Sequence, residues 1–315
     1  MIAIEQIEAA RERIAGAAVR TPLVRLELDG PAEIWCKLET LQPINSFKIR
    51  GAANCVRAAD PALVARGLVT ASAGNMAQGV AWIARELGVS ATIAVPEHAP
   101  AAKLDAIARL GGTVVKLPYG DWWQAIMDSR VEGVEGFFVH PVADPEVMAG
   151  NGTIGLEILE QLPDIDAVAI PYGGGGLTVG IASALRERSP QTRVYTVEPE
   201  TAAAAVAARA AGEPTQIEYV PSWVDGSGSR GVLAEMWPRV APLIDDALSV
   251  TLEQTAAAVR VMAERLRIIA EGAGALATAA AQGGLCGGGR VVAIVSGGNI
   301  DPATFASILQ GEPLA

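Results

Sequence analysis

No stretch of about 18 residues passes without a charge or a turn signal, which excludes an obvious membrane-spanning helix. The opening "MIAIEQIEAARERIAG" carries Glu5, Glu8 and Arg11 among its apolar residues, and is expected to form a soluble first helix, neither signal peptide nor anchor. Cysteine is scarce. Cys36, Cys55 and Cys286 are odd in number and widely spaced, so they outline neither a disulfide framework nor a metal-ligand pattern, and they suit a reducing compartment, the cytoplasm by expectation. Basic clusters are missing as well. With 24 Lys and Arg against 35 Asp and Glu, a net charge of -11 argues against nucleic acid or anionic membrane as the partner and leaves a small molecule. There is no internal repeat, no low-complexity tail and no Gly-Lys-Ser/Thr of a Walker loop, and the run of four glycines at 173–176 does not continue as G-x-G-x-x-G, which would need glycine at Thr178 or Val179.

What is present is alternation. At 315 residues the chain is long enough for one large or two interlocked domains. Apolar runs bounded by Gly or Pro predict strands at 33–39, 67–72, 91–96, 113–118, 136–141, 167–172, 193–199 and 290–298. Helical patterns such as "NMAQGVAWIARELG" and "LTVGIASALRERSP" separate them. The predicted class is α/β, with two parallel-rich twisted sheets flanked by helices and a break in rhythm near 140–165. The stretch 213–246, rich in Pro, Gly and Trp, reads as an irregular loop layer, and "GGLCGGG" (283–289) as a turn before the last strand.

Four Gly-rich points fall where strands end or helices begin: "SAGN" (72–75), "GGGGL" (173–177), "EGAGA" (271–275) and "SGGN" (296–299). Ligands of open α/β sheets bind at the carboxyl ends of the strands, so such turns can converge on one crevice. Gly173, Gly174, Gly175 and Gly176 leave backbone N–H groups unshielded at a helix N-terminus, which is in physical terms a phosphate cradle. A permissive turn is the plainer reading, but four glycines cost unfolded-state entropy unless something approaches the backbone.

Lys48 stands in "QPINSFKIRGAANC", after a possible helix cap at Asn45 or Ser46 and between the apolar Phe47 and Ile49. A lysine in a first helical turn is ordinarily solvated. Apolar flanks disfavour its charged form, lower its pKa and fit it to attack an aldehyde, and the phosphate cradle indicates which aldehyde.

"INSFKIRGA", "SAGNMAQGVA", "AGNGTIGLEI", "YGGGGLTVGIASAL" and "SGGN" resemble, in order and spacing, the fold-type II pyridoxal-phosphate enzymes of the serine/threonine dehydratase and serine racemase group. The likeness runs from "RTPLVRL" (20–26) to "SGGNID" (296–301). It implies pyridoxal 5'-phosphate as cofactor, a small amino acid as substrate and a homodimer. By the same resemblance Lys48 would hold the cofactor covalently and later take the substrate α-proton, with Phe47 packed beside the ring. Asn75 would bond the ring hydroxyl, and Ser72, Ala73, Gly74, Asn75 and Met76 would grip the substrate carboxylate. Gly173–Gly176 with Leu177 would hold the phosphate, and Ser296 would meet the pyridine nitrogen. A hydroxyl can donate to that nitrogen but cannot keep it protonated as a carboxylate would, which favours β-elimination over transamination. The domains implied are 1–66 with 145–315, large and cofactor-binding, and 67–144, small and mobile.

The implied activity is dehydration and deamination of a β-hydroxy-α-amino acid, L-threonine or L-serine, to a 2-keto acid. Alternatives are phenylserine dehydration, β-replacement of the cysteine synthase type, and cofactor binding without catalysis. Ala73 replaces the serine that racemising relatives use as second base, so racemisation is not expected. Met76 replaces the histidine of most dehydratases, and either packs or touches substrate. Trp122 and Trp123 either belong to the core or face the crevice, where they would suit an aryl group. Glu198 in "VEPETAAAAVAA" lacks the acidic partners of a divalent-cation site, and no metal is expected. Glu271 matches an acid near the cofactor in relatives, or is simply buried against a helix N-terminus.

Overall fold

The computed structural model describes residues 1–312 and 314. Among them ten strands run in chain order as β1 (Leu23–Leu26), β2 (Ala32–Leu38), β3 (Leu68–Ala71), β4 (Ala91–Pro96), β5 (Thr113–Leu117), β6 (Phe137–Phe138), β7 (Ala167–Pro171), β8 (Arg193–Pro199), β9 (Asp246–Val250) and β10 (Gly289–Val295). They form a six-stranded sheet, β1-β2-β10-β7-β8-β9, and a four-stranded sheet, β5-β4-β3-β6. Every pairing is parallel except β1 with β2. This is the α/β class the alternation predicts, and the physical cause is visible in β7 and β10. All five residues of β7 and the last five of β10 are buried, as strands must be when helices cover both faces.

Local chemistry sets the helix starts. Asp144 accepts the N–H groups of Glu146 and Val147 ahead of Pro145, and Asp301 caps the last helix in the same way ahead of Pro302. Thr251 and Gln254 form a capping box. The helices Pro145–Gln161 and Gly176–Arg188 pack through Gly152 and Gly180, where a Cβ on Gly152 would lie 2.9 Å from the Gly180 carbonyl. That close crossing seats the N-terminus of the second helix against the strand ends.

Several sequence expectations change. The break in rhythm near 140–165 is the 17-residue helix Pro145–Gln161, buried on nearly every side, so it has no polar face to create a periodic stripe. The run 136–141 contributes only Phe137–Phe138 to a strand, because His140 bends the chain into a turn. β1 and β9 were not among the predicted strands; the first is a four-residue antiparallel edge and the second carries Asp246 and Ser249. The layer 213–246 is largely irregular, tied by a bridge between Gln216 and Gly231 and a short helix, Trp237–Val240. Neither Asn45 nor Ser46 caps the next helix, which starts at Lys48 after an uncapped Phe47.

Candidate active site

One cleft of about 390 Å³ opens between the two sheets. Phe47, Lys48, the turn Ser72, Ala73, Gly74, Asn75 and Met76, the loop Gly173–Leu177 and Ser296 all border it. The structure thus brings together every residue singled out as a candidate site residue, from four segments far apart in the chain. Each segment ends a strand or begins a helix: β3 delivers Ser72, β7 delivers Gly173, and β10 delivers Ser296.

Lys48 is the cleft's reactive candidate. Its Nζ donates to the Pro141 carbonyl at 2.9 Å and lies 5.2 Å from the Phe47 ring centroid. Burial of the amine brings its pKa down to about 8, although Glu271 nearby acts to raise it. The Phe47 N–H in turn donates to the Ser296 carbonyl at 3.0 Å, and Ser46 bridges Gly297, so the lysine segment is laced to the end of β10.

Asn75 is committed on both sides. Its Nδ2 donates to Glu271 Oε1 at 2.7 Å, and its Oδ1 accepts from Asn299 Nδ2 at 2.7 Å. Asn299 also donates to the Ile44 carbonyl, closing a polar bridge among three of the Gly-rich points. Burial, followed by the charge of Asp225, raises the Glu271 pKa to about 7. Sequence reasoning assigned no role to Asn299; its only signal was its place in "SGGN".

The glycine loop is shaped by contact as well as by turn geometry. Gly175 sits at φ 92°, and a Cβ on Gly174 would lie 2.6 Å from Val142 Cγ2, one on Gly176 2.7 Å from the Val142 carbonyl oxygen. The Thr178 hydroxyl, fully buried just inside the helix, has no hydrogen-bond partner. Bare backbone N–H groups, a helix N-terminus and an orphaned hydroxyl fit a phosphate, and a part-buried amine of lowered pKa fits the aldehyde.

Met76 is 1% exposed and packs with Ala77 and Val80 while bordering the cleft. Trp122 and Trp123 both line the cleft mouth, Trp122 packed on Ala125 and Ile126 and Trp123 40% exposed. Lys103, on the helix Ala101–Arg109, pairs with Asp225 across the mouth. Glu198 lies elsewhere, fully buried. Its Oε2 accepts from Ala205 and Val206, and burial pushes its pKa up to about 8. Among the described residues no group of three His, Cys, Asp or Glu side chains could hold a metal ion.

A two-sheet α/β frame with a part-buried lysine facing a glycine-rich loop at a helix N-terminus fits a class of enzymes that hold a phosphorylated aldehyde. Residues 14–297 match the family described as pyridoxal-phosphate dependent enzyme, and the chain belongs to that family. It is 38% identical over 309 residues to an L-threonine ammonia-lyase of Thermotoga maritima, covering 96% of this chain and 76% of that one. Its fold is similar to that of maize serine racemase, with a TM-score of 0.85, 31% identity, and coverage of 98% and 97% of the two chains. The processed form of threonine deaminase isoform 2 from Solanum lycopersicum superposes with a TM-score of 0.85 at 30% identity, covering 98% of this chain and 87% of that one. The cofactor is therefore pyridoxal phosphate.

A pH dependence follows from the lysine. Only the neutral amine adds to an aldehyde, and burial brings the Lys48 pKa down from the ordinary lysine value to about 8. With Lys48 as the amine that takes up the cofactor, the role proposed below, reloading of cofactor-stripped protein is expected to accelerate as the pH rises through about 8 and then level off, followed by the absorbance of the lysine-bound cofactor. A rate still climbing through about pH 10, the ordinary lysine range, would contradict the dehydrated amine.

Proposed function

We propose that this chain is a pyridoxal-phosphate-dependent ammonia-lyase that converts L-threonine or L-serine to the 2-keto acid and ammonia. The observation that carries the proposal is the convergence of Lys48, Asn75, Gly173–Gly176 and Ser296 on one cleft in a chain with ammonia-lyase relatives. When bound, the cofactor withdraws electrons from the substrate Cα and so acidifies its proton. Every other role falls to the chain. Lys48 holds the cofactor and, as a neutral amine, takes the α-proton. The backbone N–H groups of Gly173–Leu177 and the Thr178 hydroxyl hold the phosphate, Asn75 and Phe47 fix the ring, and Ser296 donates to the pyridine nitrogen. Ser72–Met76 hold the substrate carboxylate. Lys48, Lys103 and Glu271 are the only titratable side chains along the cleft among the described residues, and Ala73 supplies no second base, which supports elimination over racemisation.

Residues 67–144 form the small mobile unit in this reading, and the Lys103–Asp225 pair is the contact that its closure makes or breaks. The compartment is the cytoplasm, where three buried free thiols stay reduced. The assembly is a homodimer in this reading; Leu41 and Ile269, on segments joined by the Thr40 hydroxyl, are exposed apolar side chains that a second copy would cover.

One observation favours a second substrate reading: two indoles border the cleft, which would suit an aryl β-substituent. The test is 2-keto acid release from L-threonine, L-serine and L-threo-phenylserine side by side. Threonine or serine is expected to lead in kcat/KM by about tenfold or more, equal to ~1.4 kcal/mol of differential binding. A lead for phenylserine moves the substrate to the aryl class. Release from none of the three overturns the proposal in favour of β-replacement or of binding alone.

A further inference from the structure

The loop that receives the Lys48 amine is built around a histidine. His140, 8% exposed, directs Nδ1 at two backbone donors, the Val142 N–H at 3.0 Å and the Ala143 N–H at 2.8 Å. Two donors at one nitrogen require its lone pair, so the ring proton resides on Nε2, on the side of the Ile126 backbone in the helix Tyr119–Met127. The Phe138 ring meets the imidazole edge-on at 6.5 Å. The turn so held touches both halves of the cofactor site. Its Pro141 carbonyl receives Lys48 Nζ, and its Val142 lies against Gly174 and Gly176 closely enough that a Cβ on either would collide with it.

We propose that His140 is a positioning residue for Lys48: neutral imidazole folds the turn 141–143, and that turn aims the amine and backs the glycine loop. The inference rests on the reading of Lys48 as the cofactor-holding amine. Protonation at Nδ1 would cancel both acceptor contacts and release the turn. The charged groups facing the ring are Glu235 and Asp144, which favour the imidazolium, and Lys48, which opposes it; burial outweighs them and keeps the ring neutral below the usual imidazole range.

Asparagine separates positioning from bulk packing. Its Oδ1 stands as many bonds from Cβ as Nδ1 does, and an Asx turn accepts the same two N–H groups, but it does not titrate. In His140→Ala, cofactor loading of the stripped protein and kcat are each expected to fall about 10- to 100-fold, with KM nearly unchanged, the scale of a misplaced reacting group. His140→Asn is expected to restore both. The ratio of loading rates, His140→Asn over wild type, is expected to rise as the pH falls below the ordinary histidine value of about 6.5, because only the wild type loses its acceptor. A flat ratio overturns the proposal, and this comparison stands even if the alanine variant does not fold. Wild-type loading and kcat in His140→Ala, or an asparagine variant as damaged as the alanine one, also overturns it. Lys48→Ala run in parallel identifies the failing link. With loading followed by the absorbance of the lysine-bound form, an unchanged signal in Lys48→Ala removes the lysine reading and this inference with it, whereas loss of that signal there with His140→Ala unaffected removes this inference alone.

Discussion

Lys48→Ala is expected to lower kcat for 2-keto acid release by about 10³-fold or more, the combined loss of a nucleophile and a positioned base. The reason is local and has no substitute nearby. Lys103 also borders the cleft, but it is tied to Asp225 at the mouth, and Glu271 is an acid bonded to Asn75. The glycine loop is untouched by the change, so the variant is expected to retain cofactor through its phosphate while losing the absorbance of the lysine-bound form. Equilibrium dialysis and spectra together check this. Turnover within about tenfold of wild type would remove Lys48 from the chemistry, whatever the substrate.

The second large effect concerns stability. Two residues beyond Lys48 on the same helix, Arg50 is 1% exposed and forms two hydrogen bonds to Glu39, at 2.7 and 2.9 Å, and two to Glu157, at 2.6 and 2.9 Å. Lys37 Nζ reaches Glu157 at 2.5 Å and the Thr21 carbonyl at 2.8 Å, and the Thr21 hydroxyl closes on Glu39 at 2.6 Å. Two cations and two carboxylates thus balance inside the protein. Arg50→Met leaves two buried carboxylates facing one lysine, and breaking such a network by removing one partner costs about 3–5 kcal/mol. Urea denaturation is expected to show that loss as a lower midpoint at unchanged slope. A variant within about 1 kcal/mol of wild type would show that the network contributes little. The sign with pH is set by Glu39. Burial would raise its pKa, but Arg50 and then Lys37 overcome this and hold it below the usual carboxylate range. Its contribution is therefore present above the unfolded value of about 4.3, and lost as the pH falls through the depressed folded one.

Much of the site was legible because its parts are local. The cradle Gly173–Gly176 and the lysine segment each announce their chemistry within a short run, since backbone exposure and apolar flanks are properties of neighbours in the chain. The two-sheet class was legible for the same reason: strand and helix periods are short. What escaped was long-range. The helix Pro145–Gln161 was missed because burial on nearly every side erases the pattern that marks a helix. The partners of Arg50 lie 11 and 107 positions away, and the Asn75–Glu271 contact spans 196. Residue types alone do not select such pairs from the other carboxylates of the chain.

The sequence by itself determined the alternating architecture and singled out Lys48 and the glycine run Gly173–Gly176 as candidate site residues. Each follows from hydrophobic period, glycine content or immediate neighbours, which act over a turn or a strand. Only the tertiary structure decided that Pro141 receives the Lys48 amine, that His140 folds the turn presenting it, and that Trp122 and Trp123 border the cleft. Those outcomes depend on how two sheets stack and where their connecting loops meet, and the packing energy that selects one arrangement is spread over the whole core.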